Sequence, residues 1–157
     1  MPLQIRRVVT GHDENGKAIV QVDEVVKNVI SNRPGAESTV IWTTEGFPID
    51  NTSGSAKEDL RQTTLANGSV FRVVSFGPGV TPRNHRTDSI DYAVVMSGEI
   101  DMVLDETTVQ LRAGDVLVQR GTIHNWMNNG TEPCVIAFSL IDARPVEVGG
   151  KVLEAQG

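Results

Sequence analysis

The sequence predicts an all-β protein, a sandwich or barrel of short antiparallel strands. Three observations predict it. Val, Ile and Thr recur in short runs, and those runs are separated by Gly, Asn, Asp and Pro. Turn signals follow at close intervals from Ser69 onward: Gly77-Pro78-Gly79, Ser97-Gly98, Asp105-Glu106, Ala113-Gly114-Asp115 and Asn128-Asn129-Gly130. Helical periodicity is nearly absent.

Taken in order, residues 4–10 and 17–23 flank a polar loop whose Asn15-Gly16 pair suits a tight turn, so a hairpin is expected there. The stretch from Glu24 to Asn32 fits one or two helical turns or a strand, because Val25, Val26, Val29 and Ile30 satisfy either period. A strand is expected at 38–44. The polar stretch between Pro48 and Gly68 is too poor in apolar residues to be core and reads as a loop or a lid. Further strands are expected at 69–76, 92–96, 99–104, 107–111, 115–119 and 134–140. Residues 1–68 would complete the barrel or a dimer, 69–142 would form the barrel, and 143–157 would be a tail, all within one domain.

Composition narrows the function. With 20 acidic against 14 basic residues the net charge is −6, which argues against nucleic acid as a partner because phosphate binding needs a basic face. No apolar run suits a secretory signal or a membrane span, so a cytoplasmic location is expected, and the three Asn-x-Ser/Thr sequons then carry little meaning. The single Cys134 excludes an internal disulfide and a Cys-rich zinc site, and within Pro133-Cys134-Val135-Ile136 it reads as core.

Two of the three histidines, His85 and His124, stand beside turns in the strand-rich half. Asp91 follows His85 by six residues, so a bend could return its carboxylate to the imidazole. Two imidazoles and a carboxylate on one face of an octahedron leave positions open for substrate or dioxygen, and iron, manganese, nickel and zinc all accept such ligands. His12 is expected to be solvated.

These residues lie in a recognisable pattern. Gly79-Val-Thr-Pro-Arg-Asn-His85-Arg-Thr87-Asp-Ser-Ile-Asp91, running on to Gly98, resembles the first motif of the cupin superfamily, and Gly114 through Gly121, His124 and Asn128 approximates the second. The resemblance covers about residues 69–140 and implies a double-stranded β-helix, the jelly-roll barrel, with extra N-terminal strands and a pocket at its mouth. It also implies a homodimer. Three departures stand out. Thr87 replaces the usual second His, Asp91 replaces Glu, and Gln119 stands where a proline is usual. The metal-ligand set carried over is His85, His124 and Asp91, with Asp88 as a substitute carboxylate. The same three residues are the catalytic candidates.

Arg72, Tyr92 and Trp126 are the substrate-binding candidates. Arg72 faces solvent if Phe71 and Val73 face the core, and faces the barrel in the opposite register. Arg83, Arg86 and Arg120 read as rim salt bridges. Together these readings point to a small-molecule enzyme. It is either metal-dependent, with oxygenase or Lewis-acid chemistry, or metal-free, with His and Asp acting as acid and base in dehydration, isomerisation or decarboxylation. The alternative is a non-catalytic cupin that holds a small metabolite.

Overall fold

The computed structural model describes residues 2–52, 54 and 56–157. Among them the regular elements are all strands. The first two, β1 (Arg6–His12) and β2 (Ala18–Val25), pair as the expected hairpin, and its turn places Gly16 at φ 78°. The undecided segment is extended. Strand β2 runs on to Val25, and β3 (Ile30–Arg33) turns into β4 (Ala36–Glu45). Val26 is drawn into the core between them, so burial rather than local propensity settles the conformation.

The main sheet has the order β3-β4-β5-β11-β6-β9, with β5 at Gly68–Phe76, β6 at Ser89–Ser97, β9 at Val116–Arg120 and β11 at Cys134–Asp142. A second sheet, β10-β7-β8, joins Asn125–Met127, Glu99–Val103 and Thr108–Arg112. Inward residues of both sheets meet in one core: Phe76, Val95, Ile136 and Phe138 from the first, Ile100, Met102, Leu111 and Trp126 from the second. Strict alternation along β11 puts Cys134, Ile136, Phe138 and Leu140 inside, each apolar side chain contributing about 1.5–3 kcal/mol by leaving water. The chain is therefore a double-stranded β-helix.

The N-terminal segment covers the back of β4, β5 and β11, where Leu3 and Val26 pack against Ile41 and Val73 with Ile5, Val135 and Ala137 around them. Buried Arg7 ties this layer down by pairing with Glu24 and Glu58 and donating to the Ile41 carbonyl at 3.1 Å. The polar stretch after Pro48 folds back onto the barrel through Leu60, which packs on Val40 and Val70. At the other end, β12 (Val146–Val148) and β13 (Lys151–Leu153) form a hairpin, after which Gln156 bridges to Arg86. Strands β3, β10, β12 and β13 are only three or four residues long, too short for a period-2 pattern to mark them in the sequence.

Candidate functional site

A cavity of about 420 Å³ opens between the two sheets. Its apolar wall is Phe76, Trp126, Phe138 and Leu140, with the Trp126 ring 5.6 Å from that of Phe76 and 5.9 Å from that of Phe138. His85 and His124 line the same space.

The two histidines are brought together by the backbone. His85 and His124 exchange both main-chain hydrogen bonds, each 3.0 Å, in an antiparallel bridge. Residues directly opposite in such a pair share a face, and the imidazole centroids accordingly lie 4.3 Å apart. Both rings are buried. Burial, with the nearby charges of Arg83 and Arg33, pushes His85 down to about 4, and burial lowers His124 as well, so both are neutral at pH 7. Nδ1 of His85 lies 3.0 Å from the Arg83 carbonyl, which can only accept, so that nitrogen carries the proton and Nε2 keeps its lone pair. Nδ1 of His124 sits between the Thr122 carbonyl at 2.9 Å and the Gln119 amide nitrogen at 2.8 Å.

Asp91 lines the cavity from β6, level with Leu140 on β11 and Gln119 on β9. Its carboxylate accepts a 2.6 Å hydrogen bond from Ser89, whose hydroxyl also meets that of Thr87 at 2.9 Å. Burial raises its pKa.

Comparison with known proteins gives this arrangement a family. A family model described as Cupin domain matches residues 72–141. The chain is 36% identical to "Cupin-domain-containing oxidoreductase fogC" of Aspergillus ruber, across 96% of this chain and 79% of that protein. It is 37% identical to "Phomopsin biosynthesis cluster protein C'" of Diaporthe leptostromiformis, across 94% and 83%. The chain belongs to the cupin superfamily. Among solved structures, AerE from Microcystis aeruginosa shares the fold with a TM-score of 0.52 at 18% identity, covering 80% of this cupin and 50% of that chain.

The donor set of this cupin does not fit a mononuclear site with three protein ligands. Among the described residues no three of His, Cys, Asp and Glu converge closely enough to hold a metal ion. The expectation that Asp91 completes the set or orients an imidazole is thus corrected: its near partner is Ser89, and the histidine Nδ1 atoms are engaged by Arg83, Thr122 and Gln119. Asp88 is not on the cavity wall either; its carbonyl accepts from the Ala143 N–H.

Of the substrate-binding candidates, the structure places Arg72 and Trp126 on the cavity wall. Arg72 pairs across the sheet with Val40 and Phe138, so the register is the one that points it into the barrel. Val73 and Phe71 take the other face, where Val73 is buried by the N-terminal layer instead of by the barrel core. Tyr92 is corrected: the pleat that turns Asp91 inward turns it outward, where it is 51% exposed. The rim arginines are corrected too. Arg83 donates to the Gly157 carbonyl at 3.0 and 3.1 Å, and Arg86 to that of Gly121 at 3.0 Å; among the described residues neither is in an ion pair with an acid. Sequence reasoning missed Arg33, Arg61, Thr63 and Gln119. The first three come from the N-terminal half, outside the motifs, and only Gln119 had left a signal, as the residue in the place of the usual proline.

Proposed function

We propose that this chain is a small-molecule enzyme of the cupin type, working at the barrel-mouth cavity by proton transfer between His85 and His124. The observation that carries the reading is the pair of buried, neutral imidazoles held 4.3 Å apart beside the apolar wall of the cavity. His85, with Nδ1–H given to the Arg83 carbonyl, offers Nε2 as a base. With the Gln119 amide as donor to His124 Nδ1, in place of an Nδ1–H given to the Thr122 carbonyl, His124 would offer Nε2–H as an acid. Rings 4.3 Å apart reach adjacent atoms of one substrate. His85 would take a proton from carbon, the C–H electron pair would become a C=C bond, and His124 would protonate either a departing hydroxyl, which leaves as water, or the far carbon of a C=C already adjacent in the substrate, whose π pair takes that proton as the double bond shifts. The first outcome is dehydration and the second isomerisation. Trp126 and Phe138 would hold the substrate body and keep water out.

Two other readings have support of their own. Several relatives are named oxidoreductases, which favours metal-dependent chemistry on the same two histidines. The departures from the usual ligand set favour a binding protein that returns its ligand unchanged. Elemental analysis of protein purified without a chelating tag, alongside His85→Ala and His124→Ala, separates the readings. Metal substoichiometric in all three proteins, with turnover of a substrate lost about 100-fold or more in each variant, is the expected result. Near-stoichiometric iron, manganese, nickel or zinc that disappears in both variants would replace proton transfer with metal chemistry. A ligand recovered intact after long incubation would replace catalysis with binding.

A further inference from the structure

Four arginines, Arg33, Arg61, Arg72 and Arg83, line the cavity of a protein whose net charge is −6. Among the described residues none of the four is in an ion pair. The ion pairs among the described residues join Arg6 to Asp23, Arg7 to Glu24 and Glu58, and Lys57 to Glu45, all away from this wall. The acids that share the lining are Glu37, which accepts the Leu3 N–H at 2.8 Å, and Asp91, which is occupied by Ser89.

Three of the arginines converge. The charge of Arg83 bears on Arg33, Arg72 and both imidazoles. Arg33 lies over the Phe76 ring at 5.9 Å, and Arg72 gives Nη2 to the Gln62 carbonyl at 2.9 Å. Arg33 Nη1 and Arg72 Nε are buried and make no hydrogen bond. A buried guanidinium N–H without an acceptor costs the fold free energy, and so does packing like charges together; Arg7 Nε is also unpaired, but Arg33 and Arg72 differ from Arg7 in lining a cavity where a ligand's oxygens could accept.

We propose that Arg33, Arg72 and Arg83 form a subsite for an organic dianion, a small molecule carrying two carboxylates on an apolar body. Arg33 Nη1 and Arg72 Nε are the donors held for its oxygens, and Arg83 neutralises it from the rim. Two carboxylates balance the excess of four guanidinium groups over the two lining acids. The body would fill the space beside Trp126, Phe138 and Leu140, which an inorganic anion would leave empty in a cavity of about 420 Å³. This assigns a substrate class to the site proposed above and rests on that reading for the reaction, but not for the binding.

Isothermal titration calorimetry with phthalate, dimethyl phthalate and inorganic phosphate tests it. Phthalate is expected to bind the wild-type protein, to weaken about tenfold or more in each of Arg33→Gln and Arg72→Gln, and to weaken with added salt. Dimethyl phthalate, the same ring without charge, is expected not to saturate. Arg33→Met, which keeps an apolar stem over Phe76 and removes the charge, is expected to raise the ligand-free Tm by roughly 2 °C or more. Phthalate binding no tighter than the diester, or unaffected by both Gln variants, overturns the proposal. Phosphate binding as tightly as phthalate overturns the dicarboxylate assignment, and a lower Tm for Arg33→Met makes that arginine structural. Intact phthalate binding without turnover of any substrate would count against the acid/base reading alone.

Discussion

His85 and His124 are neutral because they are buried, and burial fixes how the fold responds to acid. The folded value of His85 is about 4 against an ordinary 6.5, and His124 is lowered in the same direction. Between those two pH values the unfolded chain takes up protons that the folded chain refuses, so stability rises with pH and is lost as pH falls from about 6.5 towards 4. For His85 alone the loss is on the order of 3 kcal/mol. Asp91, whose pKa is raised, acts in the opposite sense and flattens the acid end of the window. Urea midpoints measured from pH 7 down to pH 4.5 are expected to fall for the wild-type chain and to fall less for His85→Gln. Gln119 is a positioning residue at the same scale. If the Gln119 amide is the donor to His124 Nδ1, Gln119→Glu replaces it with a carboxylate acceptor and would draw the ring proton from Nε2 to Nδ1. A drop in kcat of about tenfold or more with little change in KM, and a displaced acid limb in the pH–rate profile, is the expected outcome. Equal changes in kcat and Tm would make Gln119 merely structural.

At the scale of elements, the fold depends on two kinds of position. Gly98 turns β6 into β7 at φ 79°, and a Cβ there would lie 2.4 Å from the Pro133 carbonyl oxygen and 2.9 Å from the Cys134 Cα. Both contacts are backbone, which cannot swing aside. Gly98→Ala is expected to cost about 3 kcal/mol in chemical denaturation, more than exposed Gly114→Ala, where φ is also positive but nothing lies within 4 Å. Ile136 is the second kind, fully buried at the centre of β11 between β5 and β6. Ile136→Ala is expected to cost about 2–5 kcal/mol by leaving a cavity. The segment after Pro48 belongs to this scale as well: Leu60 anchors it, Arg61 and Thr63 reach the cavity from it, and Arg72 holds the Gln62 carbonyl.

Over the whole molecule, the two halves of the main sheet are covered unequally. The N-terminal layer buries the back of β4, β5 and β11, while β6 and β9 present Tyr92, Val94, Met96, Val116 and Val118 to the outside. Tyr92 faces Val118 and Val94 faces Val116 across the strand pair, so the exposed residues form one contiguous apolar face. The homodimer that the cupin resemblance implies would cover it. Sedimentation is expected to give a dimer for the wild-type chain and a monomer for Met96→Lys combined with Val116→Lys; a wild-type monomer at micromolar concentration would place the interface elsewhere or nowhere.

What the sequence determined by itself is the architecture and its polar anchor points. Period-2 apolar runs with turn residues between them specify strands and their inward faces, because side chains alternate along a strand regardless of what surrounds it. Turn signals stood beside His85 and His124, the resemblance to the two cupin motifs implied that they share a site, and their pairing is what the backbone bridge delivers. The tertiary structure decided the rest. Whether Arg72 faced solvent or the barrel depended on which face of β5 the N-terminal layer would cover, a long-range fact absent from its own strand. Tyr92 was lost from the site for the complementary reason, since a neighbour of an inward residue must point outward. Arg33, Arg61 and Thr63 entered the cavity from loops and a strand end far from either motif, where no local pattern marks a residue as facing a pocket. Charge is legible in a sequence, but the absence of a partner for that charge is a property of three-dimensional packing alone.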